Sequence, residues 1–352
     1  MTRLLRVFAL VAFASLLAAL PACTGKGGGG KIKVAIVTNC TADFWIIAEA
    51  GAKQAAKEND VELIFRQPKT QTVTDQMEIV ESLLKQGIKG LAVSVINPKE
   101  QTPDLSRIAG QVNLVTMDND ADQSGRLCYV GVDNYQAGKE VGRAVKRALP
   151  KGGTVALFIG TTTSANSKDR VAGVLDELAG SDNRAAIGEG KFRDKYGDYT
   201  LYRKEPITDA ADEAKALTNA EAALEQLKST PNVAMVGLYA YNPKAILVAA
   251  RGKKLVGKVK IVGFDEDFDT LDGIDKGEIE ATVVQDPYNY GYESVKWLAH
   301  LAKGGDRAKL PQEATEHRLV TKEGAKIEGV KVPIFKSSEY SKKIRDSLAA
   351  GK

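Results

Sequence analysis

The sequence predicts an α/β protein built as two doubly wound, Rossmann-like parallel-sheet lobes. Three observations predict it. Short β-rich runs alternate with longer segments of helical periodicity from Lys33 to Ala302, the rhythm of parallel strands joined by crossover helices. That rhythm restarts near Ala137, giving more strands than one small sheet holds. The chain of 352 residues also exceeds the ~250–300 at which a single core stops growing. A (β/α)8 barrel is the main rival, but it would use about 250 residues in one closed ring.

The first strand is Lys33–Val37 (KVAIV). Phe44 to Lys57 then carries Ile47, Ala48, Gly51, Ala52 and Ala55 at helical spacing. Val61–Phe65 reads as the second strand. Thr74 is placed to cap a helix with Met77, Val80 and Leu84 on one face. Gly90–Val95, Asn113–Met117 and Cys128–Val132 read as strands three to five. In the second half, Ala137–Leu149, Asp169–Leu178, Asp212–Leu227 and Tyr292–Ala302 are helical. Thr154–Ile159, Val233–Tyr239, Val259–Phe264 and Glu280–Val284 are strands. Gly188–Pro206 breaks the rhythm and reads as a strand plus a surface excursion. Lys336–Lys352 has a helical pattern in Tyr340, Ile344 and Leu348.

Composition excludes several classes. Apolar residues are 43% and charged residues 27%, close to a soluble globular average, which argues against disorder, collagen or a multi-span membrane protein. Lys+Arg minus Asp+Glu is 49 − 45 = +4, and the charges are interspersed, so no nucleic-acid groove is expected. Two histidines and three cysteines leave little material for a zinc site or a Cys/His enzyme. Neither a metal nor a cofactor is expected.

The N-terminus reads as an export signal. Arg3 and Arg6 precede an apolar run, Val7 to Leu20, too short for a stable span. Leu20-Pro21-Ala22-Cys23 resembles a bacterial lipobox, with Cys23 the lipidated first residue of the mature chain; an ordinary signal peptide is the alternative. Residues 1–22 are then the signal peptide and 23–30 a lipid-anchored, Gly-rich tether. Removing Arg3 and Arg6 lowers the formal charge from +4 to +2. Export implies an oxidising compartment, where Cys40 and Cys128 could pair, although Cys40 reads better as a small buried residue.

Ligands of open parallel sheets bind beyond the carboxyl ends of the strands. Following the strands in order, those ends carry Thr38 with Phe44 and Trp45, Asn97, Asp118 with Asn119, the run Gly160–Ser164 with Lys168, Tyr241, Asp265 and Gln285. Hydroxyls, amides, carboxylates and rings suit a polyhydroxylated ligand. Asp accepts from two hydroxyls, Asn and Gln both donate and accept, and a ring covers a C–H face. The set holds no histidine and no nucleophile–base pair. The first strand–helix turn, Thr38 to Phe44, contains no glycine, so the dinucleotide fingerprint is missing where it would have to lie. The threonine run lacks the P-loop lysine spacing, and Asp265-Glu266-Asp267 does not set the separation a glycosidase needs. No enzyme is expected.

Seven segments in order carry a family resemblance: KVAIVTNCTADFW, INP (Ile96–Pro98), MDND (Met117–Asp120), GVDNYQAG (Gly131–Gly138), VGLYAYNP (Val236–Pro243), VGFDED (Val262–Asp267) and TVVQDPYNYGYESV (Thr282–Val295). Together they resemble the type I periplasmic solute-binding proteins, in the ribose/galactose-binding branch that serves sugar ABC importers. The resemblance runs from about Lys31 to Val332. It implies a three-strand hinge near Val132–Asn134, Gln285–Pro287 and Glu316–Val320. Lobe 1 is then 31–132 plus 287–318, lobe 2 is 133–286 plus 319–335, and 336–352 is a C-terminal tail. It further implies a monosaccharide held by Thr38, Phe44, Trp45, Asn97, Asp118, Asn119, Lys168, Asp212, Tyr241, Asp265 and Gln285. Asn119 stands where ribose binders carry arginine, Lys168 lies near another family arginine, and Ala240 replaces a ribose-type asparagine. Asp212 falls near an aromatic position of the family. The implied protein is an exported, periplasmic or envelope-bound monomer. It hands sugar to an ABC permease and touches the membrane through its lipid alone. A chemoreceptor or kinase sensor, or a binder of a nucleoside or furanose-like signal, is the alternative. The lactose-type repressors share the two-lobe fold but need an N-terminal helix-turn-helix, where this chain has an export signal.

Overall fold

The computed structural model describes residues 30–311 and 314–350. Arg3, Arg6, Cys23 and the start of the tether therefore lie outside the described residues. Strands β1 (Lys33–Val37), β2 (Glu62–Arg66), β3 (Gly90–Val93), β4 (Asn113–Met117) and β5 (Tyr129–Val130) form one sheet, wholly parallel and ordered β2-β1-β3-β4-β5. Helices α1 (Asp43–Glu58), α2 (Val73–Lys85) and α3 (Pro98–Ala109) are its crossovers. The strands are near-continuous apolar runs because helices cover both faces.

The chain then passes to a second sheet through α4 (Asn134–Ala148), β6 (Gly153–Ile159) and α5 (Ala165–Ala179). A short α6 (Arg184–Gly188) and the antiparallel pair β7 (Lys195–Tyr196) and β8 (Tyr199–Leu201) follow, then β9 (Ile207–Thr208). The expected strand-plus-excursion is thus a helical turn and a hairpin, with β8 and β9 pairing successive stretches of β6. The regular winding resumes with α7 (Glu213–Leu227), β10 (Val233–Gly237), α8 (Tyr241–Gly252), β11 (Val259–Phe264), α9 (Phe268–Lys276) and β12 (Ala281–Val284). Next, α10 (Pro287–Ala302) returns to the first sheet, and β13 (Arg318–Thr321) and β14 (Ile334–Lys336) rejoin the second. The second sheet runs β14-β13-β12-β11-β10-β6-β8-β7, with β9 beside β6. The C-terminal pattern forms α11 (Ser337–Ala350), with Tyr340 and Ile344 buried.

Two local readings are corrected. The hydroxyl that caps α2 belongs to Thr72, which accepts from the Asp75 N–H at 3.2 Å, two residues before the expected Thr74. Strand β5 is only two residues long. Val132 beyond it is already committed elsewhere, its N–H donating to the Tyr290 hydroxyl at 2.9 Å.

Helices α1 and α10 cross on one face of the first sheet, and the crossing depends on two glycines. A Cβ on Gly51 would stand 2.0 Å from the Tyr288 carbonyl, and one on Gly291 would stand 1.8 Å from the Ala48 carbonyl. Val80, Leu83, Leu105 and Ile108 of α2 and α3 cover the opposite face. A third apolar cluster, with Leu224, Ile246 and Leu271, fills the outer face of the second sheet. The largest cluster runs through the junction, from Phe44 and Trp45 by way of Tyr290 to Phe264. It places the carboxyl ends of both sets of strands around one cleft.

Candidate functional site

The cleft holds a cavity of about 60 Å³. From the first lobe it is walled by Asn39, Cys40, Ala42, Phe44, Trp45 and Asp118; from the second by Asn166, Arg170, Tyr239, Ala240, Tyr241 and Asp265. The mixture of rings with a few convergent polar groups is the usual one for a ligand pocket.

Asp118 directly follows β4 and Asp265 directly follows β11. Both have positive φ, 59° and 74°. The left-handed turn lets each backbone N–H finish the strand ladder, Asp118 on the Val130 carbonyl and Asp265 on the Val283 carbonyl, while the side chain swings off the strand into the cleft. Backbone strain of about 1 kcal/mol or more at each is the kind that collects at ligand clamps. Both residues are 5% exposed.

Asp118 accepts from the Ser94 hydroxyl at 2.8 Å. Burial raises its pKa to about 6, opposed by the Arg170 charge and reinforced by Asp265. Asp265 accepts from the Gln285 amide and is also shifted upward by burial, against Arg170. Gln285 is held from two sides: its N–H donates to Glu266 at 2.8 Å, and the Tyr290 hydroxyl donates to its Oε1 at 3.1 Å.

Arg170 is the buried cation between these carboxylates, 1% exposed. Its Nε donates to Asn134 Oδ1 at 2.8 Å and its Nη1 to the Leu238 carbonyl at 2.9 Å. Nη1 also stands 3.7 Å from Asp265 Oδ2. The remaining nitrogen, Nη2, has no hydrogen-bond partner among the described residues. A buried guanidinium N–H without an acceptor is costly; beside this cavity it is a donor free to meet an oxygen.

The rings are fixed as firmly. Phe44 and Trp45 meet edge to face at 4.9 Å, and the Trp45 indole N–H donates to Asn39 Oδ1 at 3.2 Å. Tyr239 is tied to Ser164 and Ser167 at 3.0 and 2.7 Å. The Tyr241 hydroxyl donates to Asp209 at 2.7 Å. Cys40 and Cys128 are free thiols; burial pushes Cys40 up to about 12, so it behaves as a small apolar wall.

Of the residues expected from the sequence, Phe44, Trp45, Asp118, Tyr241 and Asp265 line the cavity. Gln285 stands directly behind Asp265. Asn119 is buried, and its side-chain oxygen accepts the Asn166 N–H at 3.3 Å, a contact between lobes. Four others do not reach the cavity. Thr38 is fully buried, donating to the Cys40 carbonyl at 2.8 Å and shaping the turn that does. Asn97 begins α3, its N–H donating to Gln101 Oε1. Lys168 is exposed and faces a separate hollow on the second lobe beside Phe192. Asp212 caps α7 through the Lys215 N–H. Asn39 stands just beyond the first strand, where ligand groups are expected; Asn166, Arg170, Tyr239 and Asp209 were not anticipated. A signal for two of them was present: Asn166 and Arg170 are spaced i,i+4, one face of a helix.

A two-lobed α/β receptor with one polar and aromatic cleft is the class that fold and site define. Residues 34–306 match the model of the periplasmic binding protein domain; the chain belongs to that family, which consists of binding proteins for transport rather than enzymes. It is 25% identical over 297 residues to the D-allose-binding periplasmic protein of Escherichia coli, covering 79% of this chain and 86% of that one. It is 25% identical over 246 residues to a D-ribose/D-allose-binding protein of Pseudomonas aeruginosa, covering 67% and 71%. Among solved structures, a solute-binding protein of an ABC transporter from Burkholderia graminis, in complex with D-arabinose, superposes with a TM-score of 0.74 at 25% identity, covering 84% of this chain and 97% of that one. GanP, a glucose-galactose binding protein from Geobacillus stearothermophilus, gives 0.71 at 27%, covering 84% and 99%. No described helix is long and apolar enough to cross a membrane.

Proposed function

We propose that this chain is the receptor of a sugar ABC importer and closes on one monosaccharide. The observation that carries the reading is the convergence of Asp118 and Asp265, one from each lobe, with the free Arg170 Nη2 and four rings around one small cavity. Carboxylates accept sugar hydroxyls, the guanidinium donates to a ring or hydroxyl oxygen, and Phe44, Trp45, Tyr239 and Tyr241 cover the C–H faces. A few charge-assisted bonds of roughly 1.5–3 kcal/mol each, less the ordering costs, reach the ~8 kcal/mol of a micromolar complex. The names of the relatives support an aldose. Asn119 and Ala240, where the resemblance implies arginine and asparagine, favour a hydroxyl pattern other than that of ribose. The proposed ligand contacts are Phe44, Trp45, Asp118, Arg170, Tyr239, Tyr241 and Asp265. The closed form hands its sugar to a membrane permease, and an acylated Cys23 tethers the receptor to the envelope as a monomer.

Calorimetric titration with a panel of aldopentoses and aldohexoses tests the ligand. Micromolar binding of one sugar, lost in Asp118→Asn and Asp265→Asn, is expected. Failure of every sugar to bind, or unchanged affinities in both variants, would overturn the reading. Release of the full-length chain from membranes by Cys23→Ala tests the anchor.

A further inference from the structure

Asp209 lies in the turn between β9 and α7 and is 1% exposed. Its carboxylate gathers three donors. Oδ1 takes the Tyr241 hydroxyl at 2.7 Å and the Ala211 N–H at 2.8 Å, and Oδ2 takes the Asn242 amide at 2.8 Å. The two residues that follow, Ala210 and Ala211, both have φ of +57°. Consecutive left-handed alanines persist only where the surroundings impose them, and the bond from the Ala211 N–H to Asp209 is part of that imposition. The strained turn also reaches the other lobe: the Ala211 carbonyl accepts from Gln71 Nε2 at 3.2 Å. On the far side of the same carboxylate, Tyr241 lines the ligand cavity.

We infer that the Asp209–Asp212 turn is a closure latch, and that Asp209 is the positioning residue coupling it to the ligand through Tyr241. A ligand seated against the Tyr241 ring holds its hydroxyl on Asp209. Asp209 in turn holds the left-handed alanine pair, which presents the Ala211 carbonyl to Gln71 of the first lobe. When the ring is displaced, Oδ1 loses a donor, the pair relaxes toward ordinary φ, and the carbonyl turns away from Gln71. The inference rests on the cavity being the ligand site, but not on the ligand being a sugar.

The test is a double-mutant cycle that leaves Asp209 in place. Tyr241→Phe keeps the ring and removes the hydroxyl, and Gln71→Ala removes the other end of the chain. Dissociation rates are measured by stopped-flow Trp fluorescence with D-allose and D-arabinose as probes. Each single variant is expected to speed dissociation about three- to tenfold, with the double variant no faster than the quicker single one. Ala211→Val, whose branched side chain opposes positive φ, matches Gln71→Ala. Asp209→Asn, which keeps an acceptor for Tyr241, falls between wild type and Asp209→Ala. Additive effects, or Ala211→Val dissociating like wild type, overturn the latch. If neither probe binds the wild-type chain, the choice of aldose fails separately. The latch is then read from the radius of gyration of the ligand-free protein in solution scattering. Equal expansion by Gln71→Ala and Ala211→Val sustains it, and no change in either refutes it.

Discussion

Arg170 sits over Phe264, its guanidinium carbon 3.9 Å from the ring centroid, so β11 supplies both a surface against the cation and, one residue later, the Asp265 carboxylate that faces it. The ring contact covers one side of the guanidinium, while hydrogen bonds to Asn134 and Leu238 fix its orientation.

Replacing the fork with a point charge undoes both restraints. Arg170→Lys cannot satisfy Asn134 and Leu238 together or lie on the ring. Arg170→Met also leaves Asp118 and Asp265 buried without a countercharge. Breaking a buried pair in this way costs about 3–5 kcal/mol. Urea denaturation should show that loss for the methionine variant. Calorimetry should show at least a hundredfold weaker ligand binding for the lysine variant, whose fold survives. A lysine variant that binds like wild type would remove Arg170 from the site.

The pH dependence should run in opposite directions for folding and for binding. Asp118 is raised to about 6 by burial, above its unfolded value of about 3.9. The folded chain therefore holds a proton that the unfolded chain has lost, and ligand-free stability falls as pH rises from about 4 to about 6. Ligand hydroxyls need the ionised carboxylate as acceptor, so affinity rises over that interval and levels off above it. It weakens up to about tenfold per pH unit below 6. Calorimetry at pH 5 and 7 in buffers of different ionisation enthalpy should show proton release on binding at pH 5 and little at pH 7. Asp118→Asn should abolish the difference.

The sequence disclosed the winding of both sheets because parallel strands, buried on both faces, announce themselves as apolar runs. It disclosed the strand-end residues Asp118 and Asp265 because the topology says where to look. It misplaced the cation. Lys168 and Arg170 are two positions apart on α5, roughly 200° around the helix, and only burial shows which face meets the cleft. The resemblance puts Asp212 near a family pocket position, but its side chain caps α7, and it is Asp209, three residues earlier across two left-handed alanines, that holds Tyr241. The opposite sides of the cavity, such as Asn39 against Tyr239, are distant in sequence and joined only by tertiary packing.

Helix α5 carries Asn166 and Arg170, and its position depends on a bare backbone crossing. A Cβ on Gly173 would stand 2.1 Å from the Tyr135 carbonyl of α4, and one on Gly138 would stand 2.3 Å from the Arg170 carbonyl. Gly173→Ala must therefore push α5 off α4 and move Arg170 with it. Gly180, the left-handed residue after α5, has no atom near its missing Cβ; Gly180→Ala costs about 1 kcal/mol of backbone conformation without shifting the crossing. Both variants should lose roughly 1–3 kcal/mol in urea, but only Gly173→Ala should also weaken ligand binding, by tenfold or more. Equal affinities for the two would show that the crossing tolerates the methyl group.

Tyr340 of α11 is buried against the turns that follow β11 and β12. Its hydroxyl donates to Glu266 Oε1 at 3.0 Å, the oxygen that also accepts the Gln285 and Asp286 N–H groups. Burial and the neighbouring Asp265 charge raise Glu266 well above the usual carboxylate range, and the Tyr340 ring is part of what keeps water from it. Tyr340→Phe removes one of three bonds to that oxygen and should cost about 1 kcal/mol. Tyr340→Ala removes a buried ring and should cost about 3–5 kcal/mol. The two should also differ in pH response. With Glu266 protonated in the folded chain and ionised in the unfolded one, wild-type stability falls as pH rises above the ordinary carboxylate range. Tyr340→Phe should keep that slope. Tyr340→Ala, admitting water, lets Glu266 ionise more readily in place, so its deficit relative to wild type should be smaller at pH 8.5 than at pH 5.5. Urea titrations of the three proteins at both pH values measure this directly. A deficit for Tyr340→Ala that is the same at both would show that the ring supports these turns by packing alone and does not govern the charge of Glu266.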